Sequence, residues 1–354
     1  VGFTAFDSDV AHIVVNELKK DFNFGQNDLV TVSIDSLHDR RSGFFFNLNP
    51  AGARRDGQIF NDGQNNVDWD GVWEGKTSIG EQAWIAEFSI PFKTLRFAES
   101  ATQEWGVNMG RRVSRINEES QWSPIPTRFG GLKISMAGTL TGLGDVHQGR
   151  NLKIKPFATT GLTELRDADG RLQTTRSLSR LKDYDGGVDA KFGLTPSLTL
   201  DATYRTDFAQ VEVDQQQVNL TRFNVFFPEK RDFFLENAGT FSFGGGGNND
   251  NVLPFFSRRI GLAGTTPIPI VGGSRVSGQA GRYDVGVLAM RTESLGSTPA
   301  NNYYVGRVKR NLLARSWVGA LMTSRDSTRS GDYNRVYGTD AFFVFFNKLE
   351  IDSY

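Results

Sequence analysis

Apolar and polar residues alternate along much of this chain with a period of two, the pattern of strands that bury one face. In residues 1–144 the alternating runs are short. Val30, Val32 and Ile34 alternate with Thr31 and Ser33, and Trp84, Ala86, Phe88 and Ile90 alternate with Ile85, Glu87 and Ser89. Breaks rich in Gly, Asn and Asp, such as Asn61 to Asn66, separate the runs. Short strands at near-regular spacing predict a β-sandwich. One stretch, Asp9 to Lys20, carries Val10, Ile13, Val14 and Leu18 at helical spacing and predicts a short helix.

Beyond a linker near Asp145 to Arg150 the runs lengthen. Leu198, Leu200, Ala202, Tyr204 and Phe208 share one face, and Thr199, Asp201, Thr203, Arg205 and Asp207 share the other. A polar face charged or hydroxylated at every position suits water inside a barrel and lipid outside it better than a soluble core. Links between runs alternate in length. Thr195 to Ser197, Gly281 to Arg282, Leu312 to Ala314 and Asn347 to Lys348 are short; Arg166 to Asp183, Glu293 to Asn302 and Asp326 to Asp332 are long. Outer-membrane barrels combine short periplasmic turns with long outer loops, so the expected fold is mainly β: an N-terminal β-sandwich, residues 1–144, followed by a partial transmembrane antiparallel β-barrel of about nine strands, residues 151–354. This orientation makes the sandwich periplasmic. The run Tyr333 to Phe346 departs from the pattern because Phe342, Val344 and Phe346 are apolar as well as Tyr337, Ala341, Phe343 and Phe345. It predicts a strand end buried against a loop or plug, with an edge of a soluble core as the alternative.

Residues 210–271 are neither clean strand nor polar loop. Seven Phe residues between Phe223 and Phe243 argue against disorder, and a loop this long is commonly functional. Phe pairs interleaved with charges predict a plug-like insertion, with Arg222, Glu229, Lys230, Arg231, Asp232 and Glu236 as its lumen or plug residues.

The stretches Asn219 to Arg222, Phe226 to Arg231, Phe233 to Asn237 and Ser257 to Gly261 are similar to those of a bacterial outer-membrane β-barrel family. Its members carry an N-terminal domain resembling family 9 carbohydrate-binding modules. In the first half, Asn49 to Arg55 (NPAGARR), Trp69 to Trp73, Trp84 to Phe92, and Trp105 to Asn108 with Arg111 look similar to that domain. The resemblance implies a Gram-negative outer-membrane location, a glycan or polysaccharide partner and contact with a lipid bilayer.

Composition narrows the chemistry. Of 354 residues, 40 are Lys or Arg and 40 are Asp or Glu, so a polyanion-binding role such as nucleic-acid binding is disfavoured. With no Cys, thiolate nucleophiles and thiolate metal sites are excluded. His12, His38 and His147 lack the spacing of a zinc motif. No resident cofactor is expected, although Asp7 with Asp9, or Asp35 with Asp39, could hold a structural Ca²⁺ through oxygen ligands. Both ends fall inside alternating runs, Val1 to Ala5 and Leu349 to Ser353, so a piece of a longer protein is expected.

Sugars pack their C–H faces on aromatic rings and need polar partners for their hydroxyls. Asp68, Trp69, Asp70 and Trp73 provide both and are the candidate carbohydrate site, with burial of the two Trp in a core as the competing role. The expected function is glycan binding or passage, with a hydrolase acting on O-glycosyl bonds or a structural envelope protein as alternatives. No residue is assigned as catalytic. For the hydrolase, Glu229, Asp232 and Glu236 are the carboxylates to consider, but Lys230 and Arg231 between them favour neutralisation. Arg307, Lys309, Arg310 and Arg315 are expected as lumen or rim charges.

Overall fold

The computed structural model describes residues 1–98, 100–147, 152–161, 183–205, 229–244, 252–263, 266–313, 315–346 and 349–354. The fold is mainly β. The first part consists of β1 (Gly2–Phe6), β2 (Leu29–Asp35), β3 (Gly43–Leu48), β4 (Arg54–Phe60), β5 (Gln64–Asn66), β6 (Glu74–Ile79), β7 (Ala83–Ser89), β8 (Thr102–Val113), β9 (Glu118–Gln121) and β10 (Gly138–Gly144). They form a three-stranded sheet, β1-β7-β6, and a larger one in the order β10-β8-β2-β3-β4-β5, with β9 on β8. The two sheets share one core, a sandwich-like arrangement. Val30, Val32 and Ile34 of β2 and Phe44, Phe46 and Leu48 of β3 meet Trp84, Ala86 and Phe88 of β7 there.

The alternate positions of the large sheet point the other way and include many polar residues. Burial there demands partners, and Asn47 donates through Nδ2 to Thr31 Oγ1 at 2.6 Å while Arg55 donates to Asn47 Oδ1 at 3.2 Å. Phe45 and Ile59 on this face are covered by Ile134.

The helix expected over Asp9 to Lys20 is reduced to a single 3₁₀ turn, Val10–His12. Asn27 Oδ1 accepts from the backbone N–H groups of Asn16 and Glu17, so that loop partner replaces the helical carbonyls. Only Ile13 of the supposed apolar face packs on the core, and Leu18 is exposed.

The second part adds β11 (Leu152–Gly161), β12 (Asp183–Thr195), β13 (Leu198–Tyr204), β14 (Leu262–Ala263), β15 (Thr266–Pro267), β16 (Ile270–Ala280), β17 (Tyr283–Thr292), β18 (Asn301–Asn311), β19 (Trp317–Ser327), β20 (Tyr333–Phe345) and β21 (Leu349–Ser353). β14 pairs with β15, and the other nine form one sheet in chain order, β11-β12-β13-β16-β17-β18-β19-β20-β21, each antiparallel to its neighbour. β11 and β21 are its edges. The links after β12, β16, β18 and β20 are short and lie at one end of the sheet; those after β13, β17 and β19 lie at the other. Among the described residues no helix is long and apolar enough to cross a membrane.

The two faces of this sheet have inverted polarity. Thr199, Asp201, Arg275, Ser277, Arg307 and Asp340 point inward and are at most 4% exposed. The outward positions are apolar and open: Ile154 is 61% exposed, Val287 51% and Tyr337 70%. Inside, Arg307 forms a bidentate pair with Asp340 at 2.6 Å for each bond. Gly319 of β19 makes room for it, since a Cβ there would lie 2.5 Å from Arg307 Nη1 and 2.6 Å from Asp340 Oδ1. Arg275 pairs with Asp201, its register partner on β13.

In β20 the outward set is Tyr337, Thr339, Ala341, Phe343 and Phe345; Phe342 turns inward beside Trp317 at 6.4 Å, and Val344 is buried. Phe346, expected to be buried with them, is 91% exposed and lies past the strand end at φ 55°.

Candidate functional site

Residues 229–244 pack on the inward face of the nine-stranded sheet. The short helix α1 (Asp232–Leu235) and the turn Ala238–Phe241 bring Phe233, Phe234 and Phe241 onto Leu288, Met290, Val305 and Leu321. Buried charges lock the segment. Arg231 grips Glu229 bidentately at 2.8 and 2.7 Å and donates to the carbonyls of Ile260 and Ser257. Arg275 donates to the Phe234 carbonyl at 2.7 Å.

Glu236 joins three parts of the molecule: its carboxylate pairs with Arg96 of the sandwich and with Lys191 of β12. Asp232 pairs with Lys155 of β11 at 2.6 Å.

The sandwich meets the sheet at the end with the short links. Arg41 donates to Asn311 Oδ1 at 2.9 Å and to the carbonyls of Leu313 and Ser316. Lys309 donates to Asn61 Oδ1 at 3.0 Å, and Arg315 pairs with Asp62 at 2.9 Å. Arg41 is carried by the β2–β3 hairpin loop, where His38 and Arg40 adopt φ of 51° and 58°, unusual for side chains with a Cβ. Two carboxylates hold this loop. Asp35 accepts from the backbone N–H of Asp39 at 3.2 Å and of Arg40 at 2.7 Å; Asp39 accepts from the N–H of Arg41 and Ser42, both at 2.8 Å. Burial pushes the Asp35 carboxyl up to about 7, with the Asp39 charge adding to the shift and the backbone donors opposing it. Burial raises Asp39 too.

Between the sandwich and the sheet lies a chamber of about 790 Å³. The second face of the large sheet forms one side through Thr31, Asn47 and Arg55, with Gln58 nearby in β4; the inward face of the nine-stranded sheet forms the other through Thr199, Lys309 and Trp317. Amide side chains are numerous, among them Asn61, Gln64, Asn65, Gln121, Asn237 and Gln279, and the rings of Phe24 and Phe129 flank the sandwich side. Such a lining pairs hydroxyl-bonding groups with apolar faces.

The candidate carbohydrate residues Asp68, Trp69, Asp70 and Trp73 do not make a platform. Trp69 and Trp73 are 7% and 3% exposed and belong to the sandwich core. Trp73 stacks on Phe88 at 5.7 Å and meets Phe46 edge-on at 5.3 Å; Trp69 packs against Phe44 at 5.0 Å. The expectation of a stacking site on these rings is corrected: large aromatic area is more stabilising buried among other rings than held in water. Asp70 is exposed and pairs with Lys20, and burial raises the half-buried Asp68 carboxyl.

Of the insertion residues, Glu229, Arg231, Asp232 and Glu236 come together in ion pairs as described, and Lys230 lies near enough to Asp68 to act on its charge. Arg222 lies outside the described residues, as does the rest of 206–228. Arg307, Lys309 and Arg315 face inward, whereas Arg310 is on the opposite face over the Tyr283 ring at 5.9 Å. Lys309 and Arg310 are adjacent in one strand and cannot share a face, which leaves Arg310 at the rim, next to the strand end at Asn311.

The suggested calcium pairs are already satisfied within the protein. Asp7 is held by Arg111 and Arg115 at 2.9 and 2.7 Å, and Asp35 and Asp39 by backbone donors. Asp21, Asp56 and Asp70 cluster elsewhere, and Lys20 lies among them.

Arg41, Asp62 and Arg128 were not singled out from the sequence. The available signal was the charge density of His38-Asp39-Arg40-Arg41 in a hairpin loop, where turn residues alone would suffice.

Residues 151–271, roughly a third of the chain, match the model of a family described as a domain of unknown function (DUF5916). No curated protein and no solved structure matches the chain.

Proposed function

We propose that the chain comprises wall and periplasmic sandwich of a Gram-negative outer-membrane β-barrel protein that binds or passes glycans. The observation that carries the membrane part is the inverted polarity of the nine-stranded sheet, with ion pairs inward and Ile154, Val287, Tyr304, Met322 and Tyr337 outward and exposed. Outward apolar side chains alternating with a polar interior suit a wall between lipid and lumen. In water such a surface would be a large uncovered apolar patch. The grouping of short links at the end where the sandwich docks supports the periplasmic placement. Packing of residues 229–244 on the inward face supports a plug that narrows the lumen.

The glycan part is supported by the resemblance of Asn49 to Arg55, Trp69 to Trp73 and Trp84 to Phe92 to a domain that itself resembles family 9 modules, and by the amide and aromatic lining of the chamber. The hydrolase alternative gains nothing from Glu229, Asp232 and Glu236, each of which is held by a cation. The test is insertion and transport. The purified chain is expected to need detergent, to float with lipid vesicles and to conduct ions across a planar bilayer, with conductance reduced by added oligosaccharide. A chain that stays monomeric and soluble without detergent overturns the membrane part. Conductance indifferent to every oligosaccharide tried overturns the glycan part.

A further inference from the structure

The chamber carries an imbalance of charge that a neutral sugar would leave unused. Seven Lys and Arg side chains line it against five Asp and Glu. Most are accounted for by one another. Arg96 pairs with Glu236, Lys133 and Arg315 with Asp62, and Glu119 with Arg112. Arg41 and Lys309 lie in the field of Asp284.

Arg55 and Arg128 are different: neither forms an ion pair with a carboxylate among the described residues. Arg55 is held between the rings of Phe24 at 5.8 Å and Phe45 at 5.0 Å, with one hydrogen bond to Asn47, and feels Asp21 and Asp56 only through longer-range attraction. Arg128 lies over Phe129 at 4.7 Å, and Lys133 and Arg315 approach the same ring at 4.8 and 5.7 Å.

We propose that the chamber binds the acidic sugar unit of a glycan, its carboxylate taken by the guanidinium groups of Arg55 and Arg128 and its ring packed between the sides carrying Phe24 and Phe129. The planar fork of a guanidinium matches a carboxylate in a way that an ammonium does not. Stacking on Phe24 and Phe45 fixes Arg55 in advance, so little side-chain freedom is lost on binding. Gln58, Gln64, Asn65 and Gln121 line the same space and present both donors and acceptors to hydroxyls. The proposal rests on the glycan reading for its ligand class and adds the anionic group and the residues that select it.

The test uses the full chain in detergent micelles and three probes: trigalacturonic acid, maltotriose and inorganic phosphate, titrated calorimetrically at low and high salt. The acidic trimer is expected to bind at least about tenfold more tightly than maltotriose, the size of one charge-assisted contact, and to weaken with salt. Arg55→Gln and Arg128→Gln should each lower its affinity about tenfold and so abolish its preference over maltotriose. Arg128 is exposed, so Arg128→Gln keeps the test valid if Arg55→Gln fails to fold by thermal melting. Equal binding of the two trimers, unchanged affinity in Arg128→Gln, or displacement of the acidic trimer by phosphate at equal concentration would overturn the proposal. A chain that floats with vesicles and binds neither trimer sinks the chamber site and leaves the membrane wall standing. A chain that binds the acidic trimer but stays soluble without detergent does the reverse.

Discussion

Trp73 lies against Phe88 on one side and Phe46 on the other, with the Arg54 guanidinium 5.7 Å from its ring centre. Trp73→Ala removes a buried ring from a closed core, and the cost is expected at about 3 to 5 kcal/mol. Chemical denaturation followed through the sandwich should show it as a lower midpoint at unchanged slope. Lost sugar affinity at unchanged stability would restore the platform role.

The pH dependence of the sandwich also follows from single residues. Hydrogen bonding to Arg115 holds the Asp7 carboxyl down at about 2, with Arg111 assisting, while Asp35 is held up at about 7 by burial. A lowered carboxylate pKa gives stability that is present above the unfolded value of 3.8 and lost as pH falls toward 2. A raised one works in the opposite direction: the folded state keeps a proton that the unfolded chain has released, so stability declines as pH rises from 3.8 to about 7. Asp39, Asp21, Asp56 and Asp68 are raised as well and reinforce the second limb. The melting temperature should therefore peak on the acid side of neutrality. Asp35→Asn should flatten the decline toward pH 7, and Asp7→Asn should flatten the acid limb, both read from thermal melts across pH.

At the scale of elements, the inserted segment and the strands it covers are joined by charge as much as by packing. Glu236→Gln leaves Arg96 and Lys191 facing a neutral amide, and losing one member of a buried pair costs about 3 kcal/mol at the lower end of such changes, since Lys191 keeps Asp201 at 3.6 Å. The expected result is faster proteolysis of residues 229–244 and larger single-channel conductance. Phe233→Ala with Phe234→Ala should do the same by emptying the contact with Leu288 and Met290. Unchanged proteolysis and conductance in both variants would mean that the segment does not narrow the lumen.

The strands were the most legible part of this chain. Strict alternation in Leu198 to Tyr204 gave the inward set Thr199, Asp201 and Thr203, and link lengths gave the ends of the sheet. Asp9 to Lys20 was misread because four apolar residues at helical spacing say nothing of Asn27, eleven residues away from Asn16, which takes the backbone donors. Trp69 and Trp73 were ambiguous for a different reason. A ring beside Asp68 and Asp70 has the same composition in a binding cleft and at the rim of a core, and only the positions of Phe44, Phe46 and Phe88 decide between them. The chamber was invisible because its two sides come from stretches some 250 residues apart, as in Lys309 with Asn61.

On the scale of the whole molecule, the outward face should respond to charge as a lipid-facing surface does. Val287→Arg places a cation in the middle of β17 on that face, and the cost near the bilayer midplane is about 2 to 4 kcal/mol. Folding yield into vesicles should fall accordingly, while yield for the rim substitution Arg310→Ala should not. Equal yields would indicate a face that meets water or protein instead.

The contacts between sandwich and sheet have a kinetic consequence. Arg41 with Asn311, Lys309 with Asn61 and Arg315 with Asp62 span 270, 248 and 253 residues, whereas every adjacent pair in the nine-stranded sheet except β13–β16 is joined within one hairpin. Contacts of long separation form slowly because loop-closure entropy must be overcome before they stabilise anything. The two halves should thus acquire their own sheets first and close the chamber in a later step, leaving an interval during folding in which the inward arginines are wet and the chamber stands open.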